Sequence, residues 1–555
     1  MWDCSWTCKG LLDRNWGLSG SIELLPDHPR LVSAPAFHPY DRREPCIVAD
    51  MRPFANTLLK ATLALALLIV AQGCDSLIER TEPSTAVSQE TALTDPDAVQ
   101  GIRASMYDRM HSNALSTDWL LGPSALADNT SFRGNQGRHQ NLNVNSNRAG
   151  IGTDAYNNIY NLINDANLLI NGIEEGVLNE DIEAKYRGEA YFMRALAQHH
   201  LVRIFGYDPN GQGGVVSPNS GPGQGFDLGI VLRTEPTLEL SDVSDKPRAP
   251  VPEVYDRIIS DLENARSIFQ NLPADVKENS RFFPSEAAIE GLLARVRLYQ
   301  RDWSAANTAA QNAIDLAGST LGAGLAQPSQ LTAIFDETTG GNPEGIFEID
   351  TDPATESVGG NLAISAYTSV QWAAQLPTQD LLDLYESGDA RRDQWYSPCY
   401  DEVNGEAFDG CSDVNADGLE LDKYNSEQGV SRFADDYPHL RVAEMVLIQA
   451  EARLNTDGPQ AAIERLNDLR EQRNASELDP GNFDRQSAMN EILAERRREL
   501  VAEGHRFFDL KRLGRDISKP AGRPAVLFNS PRILDDIPPN QLEVNEELVQ
   551  NPGYN

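Results

Sequence analysis

The chain has 555 residues, of which 40% are hydrophobic, and its formal net charge is -36 at pH 7. This length exceeds one ordinary domain, so two or more lobes or one extended helical array are expected. The acidic excess excludes nucleic acid as a partner, because a phosphate backbone would repel the protein. Its scattered carboxylates could keep the protein soluble at high salt, so we hypothesise a salt-loving source, with an ordinary acidic surface as the alternative.

The first predicted element is an export signal over residues 51–73. It holds two basic residues and an almost wholly apolar run at 61–71. That run is too short to span about 30 Å of hydrocarbon, but it has the length of a signal-peptide core. Cys74 follows at once, as in bacterial lipoproteins, so we expect its thiol to be lipidated. Residues 1–50 would then be an extended leader or the product of a misassigned start.

A polar tether rich in Ser and Thr is expected at 74–93, and helical periodicity dominates the rest of the chain. The predicted helices cover 95–112, 154–175, 180–205, 252–272, 285–300, 303–316, 376–387, 439–455, 458–472 and 486–503. Strand-like segments are few and short, and the two that stand out are 229–233 and 345–350.

Two stretches have the pattern of paired antiparallel helices. They are residues 287–316 and 440–472, where small residues recur at positions at which two helices must approach closely. Both resemble tetratricopeptide hairpins. They are far apart along the chain, so they do not form a tandem array in the sequence. The long insertions between them are the natural place for a binding site.

The stretch "ILAERRRELVAEGHRFFDLKRLG" at 492–514 places three consecutive arginines in an acidic chain. Glutamates recur every fourth residue, which puts them on one ridge of a helix, and Arg496, Arg498 and Arg506 each lie three residues from one of them. The ridge consists of Glu491, Glu495, Glu499 and Glu503. We therefore predict a salt-bridged helix packed on a core, not a basic docking patch.

This stretch resembles the C-terminal signature of the SusD/RagB family, and other segments resemble the same family in order. They are "NNIYNLINDANLLINGIEEG", "YRGEAYFMRALAQHHLVRIFG", "LPTQDLLDLYESGDARRD", "HLRVAEMVLIQAEARLN" and the closing "QNPGY". The resemblance implies a mostly α fold, with four irregular tetratricopeptide-like helical pairs beside a loop-rich ligand-binding lobe with few strands. It divides the chain into an N-terminal region at 94–240, a tetratricopeptide-like region at 241–330 and a C-terminal domain at 331–555.

The resemblance also implies a role without catalysis. Members of the family are outer-membrane lipoproteins exposed at the cell surface. They capture a glycan, or an oligopeptide, and pass it to a SusC-like TonB-dependent transporter. Two alternatives stay open: a tetratricopeptide-type scaffold of an envelope complex without a small ligand, and a surface glycoside hydrolase.

Sugars are bound by flat aromatic faces together with polar groups that satisfy hydroxyls. Aromatic residues in or beside predicted loops are therefore the candidates for ligand binding. They are Trp119, Trp372, Trp395, Tyr367 and Tyr400. The alternative for each is packing beneath its own loop.

The cysteines predict one disulfide. Of six in the chain, three precede the export signal and Cys74 is the expected lipid anchor. Cys399 and Cys411 are the pair that remains in an exported protein, so we expect them to be bonded.

An acidic stretch follows this pair, with Asp413, Asn415 and Asp417 at the first, third and fifth positions of a calcium loop. The twelfth position is Tyr424, where such a loop has a bidentate glutamate. A structural calcium ion is the one cofactor that the sequence suggests. An acidic turn next to the disulfide is the alternative.

Overall fold

The computed structural model describes residues 92–112, 115–134, 139–144, 151–207, 227–238, 242, 244–335, 341–352, 359–369, 372–401, 406–424, 433–520, 522–528 and 530–554. The predicted leader, the export signal, Cys74 and nearly all of the tether lie outside the described residues. Within the described ranges, none of the helices combines the length and hydrophobicity that crossing a bilayer requires.

Helices make up most of the described chain, as the periodicity predicts. The α-helices are α1 (Pro96–Asp108), α2 (Thr117–Leu126), α3 (Gln140–Val144), α4 (Gly152–Asn171), α5 (Glu180–Phe205), α6 (Val251–Asn271), α7 (Glu286–Tyr299), α8 (Trp303–Leu316), α9 (Ile364–Thr368), α10 (Gln379–Leu382), α11 (Ala390–Gln394), α12 (Val442–Thr456), α13 (Pro459–Glu471), α14 (Arg485–Glu499), α15 (Arg506–Arg512) and α16 (Pro539–Val544). Short 3₁₀ turns add Arg109–His111, Pro328–Gln330, Thr332–Ile334, Cys411–Asp413, Pro480–Asn482 and Pro531–Ile533, and a π-turn covers Ala317–Leu321.

The strands are short and pair only in twos. They are β1 (Thr130–Phe132), β2 (Gly345–Ile349), β3 (Gln375–Pro377), β4 (Tyr396–Pro398), β5 (Tyr400–Asp401), β6 (Glu406–Ala407), β7 (Leu419–Leu421) and β8 (Tyr437–Arg441). The antiparallel pairs are β1–β3, β2–β8, β4–β7 and β5–β6. Such small ribbons are not independently stable, so each depends on the helices or loops beneath it.

The long helices form one layer in which α1, α4, α5, α6, α7, α8, α12 and α13 each pack on the next, and α14 packs on α12 and α13. Small residues allow the close approach at α7 and α8, where Ala306, Ala310 and Ala313 are fully buried. The two predicted hairpins, α7–α8 and α12–α13, lie side by side, because α8 packs directly on α12. The array that is interrupted in the sequence is therefore continuous in space.

The predictions for 376–387 and 229–233 are wrong, and the helix predicted at 439–455 is confirmed with a later start, because strand pairing with remote residues overrides local periodicity at both helices. Residues 376–387 contain only the short helix α10, since Gln375–Pro377 form strand β3 and pair with β1. Helix α12 begins at Val442, because the residues before it pair with β2 as β8. The stretch 229–233 is not a strand; an isolated bridge from Leu228 to Pro250 lies just before it. The strand at 345–350 is confirmed as β2.

The arginines and glutamates of α14 do form salt bridges on a core, but mostly with partners far away in the chain. Arg498 pairs with Glu495 at 2.6 Å along the helix, as predicted. Arg496 instead pairs with Asp509 at 2.8 Å. Arg506, which lies three residues from Glu503, pairs instead with Asp128 at 2.7 Å. Helix α14 is buried on several sides, so tertiary contacts decide these partners.

Candidate functional site

The loop-rich lobe brings together two of the predicted ligand residues, Trp372 and Tyr367. Their rings meet edge to face, with centroids 4.8 Å apart. Tyr367, on α9, is 4% exposed, whereas Trp372 is half-buried. Tyr367 also contacts the ring of His139, whose Nε2 lies 2.6 Å from Oδ1 of Asp118. Tyr367 therefore supports the Trp372 ring from below and offers no open face of its own.

Arg133, just after β1, fixes the backbone on which Trp372 sits. Its guanidinium donates to the carbonyl oxygens of Trp372 at 2.8 Å and Ala373 at 3.3 Å. A further bond of 3.0 Å reaches the carbonyl of Asp409. The same guanidinium lies 4.4 Å from the ring centroid of Phe408, a cation–π contact. Arg133 thus joins the Trp372 loop to the loop at 408–410.

The predicted disulfide between Cys399 and Cys411 is confirmed. Both sulfur-bearing residues are buried in a small apolar cluster with Ala373 and Leu376, and Phe408 packs against that cluster. Tyr400 follows Cys399 directly and is 45% exposed, which makes it one of the few exposed large apolar side chains among the described residues. The disulfide therefore adjoins Tyr400 in the chain and packs against Ala373, the residue next to Trp372.

We call Trp372, Tyr400 and Phe408 the aromatic face. Trp372 and Phe408 are half-buried residues on two segments that Arg133 joins, and Tyr400 is an exposed residue of β5 next to the disulfide. Aromatic rings of this kind stack on the apolar faces of sugars, while nearby polar groups satisfy the hydroxyls. Arg133 and Phe408 were missed by the sequence analysis, because nothing in the local pattern distinguishes them from other loop residues.

The prediction for Trp119 is wrong, because this residue lies in the helical core. Trp119 belongs to α2 and is 3% exposed. Its ring stacks on Phe508 with centroids 5.6 Å apart, and the Arg203 guanidinium lies 4.7 Å from its centroid. The centroid of the His200 ring lies 3.7 Å from that of Trp119. No side of the indole is left for a ligand.

The prediction for Trp395 is wrong for the same reason. Trp395 is fully buried, and its indole nitrogen donates to the Leu331 carbonyl at 3.3 Å. Phe335 packs edge to face on it at 5.8 Å, and the Lys423 ammonium lies 4.4 Å from its centroid. The indole is an anchor of the C-terminal core.

The acidic stretch after the disulfide forms a hydrogen-bonded turn. The Asn415 carboxamide accepts from the Leu419 amide at 2.9 Å and donates to the Pro377 carbonyl at 3.0 Å. Asp417 pairs with Arg392 at 2.8 Å. Across the described residues, no three or more His, Cys, Asp or Glu side chains come together to hold a metal ion. Calcium binding by Asp413, Asn415 and Asp417 stays a prediction.

Comparison with known proteins places the chain in a family. A family model described as "SusD family" matches residues 404–554, and one described as "Starch-binding associating with outer membrane" matches residues 80–298. "SusD-like protein P38" of Formosa agariphila is 27% identical over 91% of this chain and 100% of its own length. "SusD-like protein P2" of the same organism is 27% identical over 88% of this chain and 98% of its own.

Solved structures have the same fold. A SusD superfamily protein from Bacteroides thetaiotaomicron superposes with a TM-score of 0.69 at 22% identity, covering 82% of this chain and 100% of its own. A SusD-like carbohydrate binding protein from Bacteroides vulgatus does so with a TM-score of 0.65 at 20% identity, over 82% of this chain and 97% of its own. The predicted mostly α fold is confirmed. The chain belongs to the SusD/RagB family.

Proposed function

We propose that this protein is a non-catalytic, lipid-anchored binding protein of the outer membrane that captures a glycan on its aromatic face. The observation that carries the proposal is a set of three half-buried or exposed aromatic residues: Trp372 and Phe408, on segments that Arg133 joins, and Tyr400, next to the Cys399–Cys411 disulfide. Membership of a family with a starch-binding model supports a carbohydrate as the ligand. The description of that model supports the outer membrane as the location.

The face suits capture because its parts are positioned before the ligand arrives. The ring of Trp372 rests on Tyr367, and its backbone carbonyl is bonded to Arg133. A preformed site loses little conformational entropy on binding, so modest stacking contacts yield useful affinity. Delivery to a SusC-like TonB-dependent transporter would follow capture, with the helical layer available as a contact surface.

Thermal unfolding of the full chain in a detergent without a sugar headgroup tests the ligand class. A glycan present at a hundred times its Kd should add about 2.7 kcal/mol to the free energy of unfolding. Trp372→Ala and Tyr400→Ala should remove the shift, and Trp303→Ala, which changes a half-buried tryptophan outside the lobe, should keep it. An equal shift in all three variants would refute the aromatic face. A shift with oligopeptides alone would replace the glycan with a peptide.

The partner and the anchor are tested by a second experiment. Affinity purification from outer membranes should recover a TonB-dependent transporter together with the wild-type chain. Cys74→Ser should release the protein from the membrane fraction. Recovery of a multiprotein envelope complex without a transporter would favour the scaffold alternative, and release of reducing ends from glycans by the purified protein would favour a hydrolase.

A further inference from the structure

A second concave site lies away from the aromatic face and shares no residue with it. It is a cleft of about 280 Å³ between helix α4, the extended segment 231–237 and the C-terminal residues 541–548. Three segments that are remote in the sequence thus meet around one opening. This volume is at the lower limit of small-molecule sites, which span about 300–1,000 Å³.

One wall of the cleft is built by a row of asparagines on α4. The Asn164 carboxamide accepts from the Thr237 amide at 2.7 Å and donates to the Thr237 carbonyl at 3.0 Å. One turn further, Asn167 donates to the carbonyls of Arg233 at 3.2 Å and Glu235 at 3.0 Å. The side chains of the helix therefore bond the extended segment as a neighbouring strand would, and they fix its position.

The C-terminal wall is fastened in a similar way. The Gln541 side chain donates to Oδ1 of Asn157 at 3.0 Å. Asn545 donates to the Lys246 carbonyl at 2.9 Å. Side-chain amides thus close the cleft on both sides, and its shape exists before any ligand enters.

The groups left facing the opening are both apolar and polar. Tyr156 and Tyr160 pack with their rings tilted and their centroids 4.6 Å apart. The Tyr160 hydroxyl is already bonded to the Val231 backbone, so Tyr160 offers a ligand its ring and not its hydroxyl. Val544 is 71% exposed, and Asn161 is exposed on the same helix as the tyrosines. One guanidinium and one carboxylate, those of Arg233 and Asp245, also line the cleft.

We propose that this cleft is a second ligand site that takes a single neutral sugar ring, free or at the end of a glycan. The exposed Asn161 carboxamide both donates and accepts, as vicinal hydroxyls do, and the surfaces of Tyr160 and Val544 match the apolar face of a pyranose. A charged ligand is disfavoured, because the lining supplies one charge of each sign. The choice of ligand class rests on the proposed function, whereas the existence and shape of the cleft do not.

The test is calorimetric titration of the full chain, in a detergent without a sugar headgroup, with glucose, galactose, mannose and xylose in turn. Asn161→Trp fills the cleft and should abolish binding of the preferred sugar. Asn161→Ala should weaken it about tenfold, which corresponds to about 1.4 kcal/mol, the scale of one hydrogen bond. Asn158→Ala is the matched control, because this half-buried asparagine lies on the same helix but does not line the cleft.

The outcomes separate this inference from the proposed function. Trp372→Ala should leave binding of the monosaccharide intact if the cleft holds it. If Trp372→Ala abolishes that binding and Asn161→Trp does not, all the sugar binds at the aromatic face, so the second site is refuted and the proposed function stands. If none of the four sugars binds the wild-type chain, the second site is also refuted, and oligosaccharide binding at the aromatic face is judged by its own thermal shift.

Discussion

Arg441 and Glu499 are 58 residues apart in the chain and form a fully buried ion pair, with Nη1 of the arginine 2.7 Å from Oε1 of the glutamate. Glu499 also accepts from Arg473 at 2.8 Å and from Arg391 at 2.9 Å. One carboxylate thus joins the end of β8 to α11, α13 and α14. Burial alone would raise the pKa of Glu499, but the three arginines outweigh it and hold this pKa well below its usual range.

Glu499→Gln should destabilise the protein by about 3–5 kcal/mol, because it removes a buried carboxylate that three arginines share and so breaks a buried ion-pair network. Urea unfolding followed by circular dichroism measures the change. Glu491→Gln is the control on the same helix: Glu491 is partly exposed and pairs with Arg498, so its loss should cost at most about 1 kcal/mol. Similar costs for the two variants would mean that the buried network does not stabilise the fold.

Stability should depend on pH through Lys511. Burial lowers the pKa of Lys511 to about 7, and its ammonium donates to the Arg203 carbonyl at the end of α5. The unfolded chain, with a lysine pKa of about 10.4, keeps this proton between pH 7 and pH 10, whereas the folded chain releases it. The unfolded state binds more protons in that window, so the free energy of unfolding should rise with pH there.

Urea midpoints measured from pH 7 to pH 10 check this dependence. Lys511→Met should reduce the rise, and the remainder comes from Lys519 and Lys423, whose pKa values burial lowers to about 7 and about 8. Lys246→Met makes the same change of charge at a half-buried position and should keep the wild-type slope. Equal slopes in all three proteins would rule out Lys511 as the source.

The tryptophans should divide into two classes. Trp395→Ala empties a fully buried site and should cost about 3–5 kcal/mol in the free energy of unfolding, without changing any ligand contact directly. Trp372→Ala, at a half-buried position, should cost much less stability and abolish glycan binding. Urea unfolding and glycan titration of both variants give the comparison. If folded Trp395→Ala lost glycan binding and Trp372→Ala kept it, Trp395 would be the ligand residue and Trp372 would not.

The disulfide should stabilise both the fold and the aromatic face. Cys399 and Cys411 are 12 residues apart, and a bond that closes a loop of this length contributes about 3 kcal/mol in the entropic account. The double Cys→Ser variant should lose this amount and bind glycan more weakly, because Ala373, next to Trp372, packs against the pair. A reductant should reproduce the loss in the wild-type chain and leave the double variant unchanged.

Features that depend on local pattern and on the count of residue types could be predicted from the amino-acid sequence alone. Helices such as α5, α7 and α8 follow from an apolar stripe at helical spacing, which specifies a helix wherever that stripe finds a core. The disulfide follows from the one cysteine pair left after the export signal and the predicted lipid anchor. The asparagines at 157, 161, 164, 167 and 171 share one helix face in the sequence, a signal that could have revealed the wall of the cleft.

Which of these residues contact one another depends on the folded chain and could not be predicted from local pattern. Trp119 and Trp395 look like loop aromatics in the sequence, but segments far along the chain cover them, so they are core residues. Arg496 and Arg506 have glutamates at helical spacing, yet they bind aspartates elsewhere. Periodicity describes the three or four neighbours of a residue, whereas burial and ion pairing depend on remote partners that only the folded chain brings within reach.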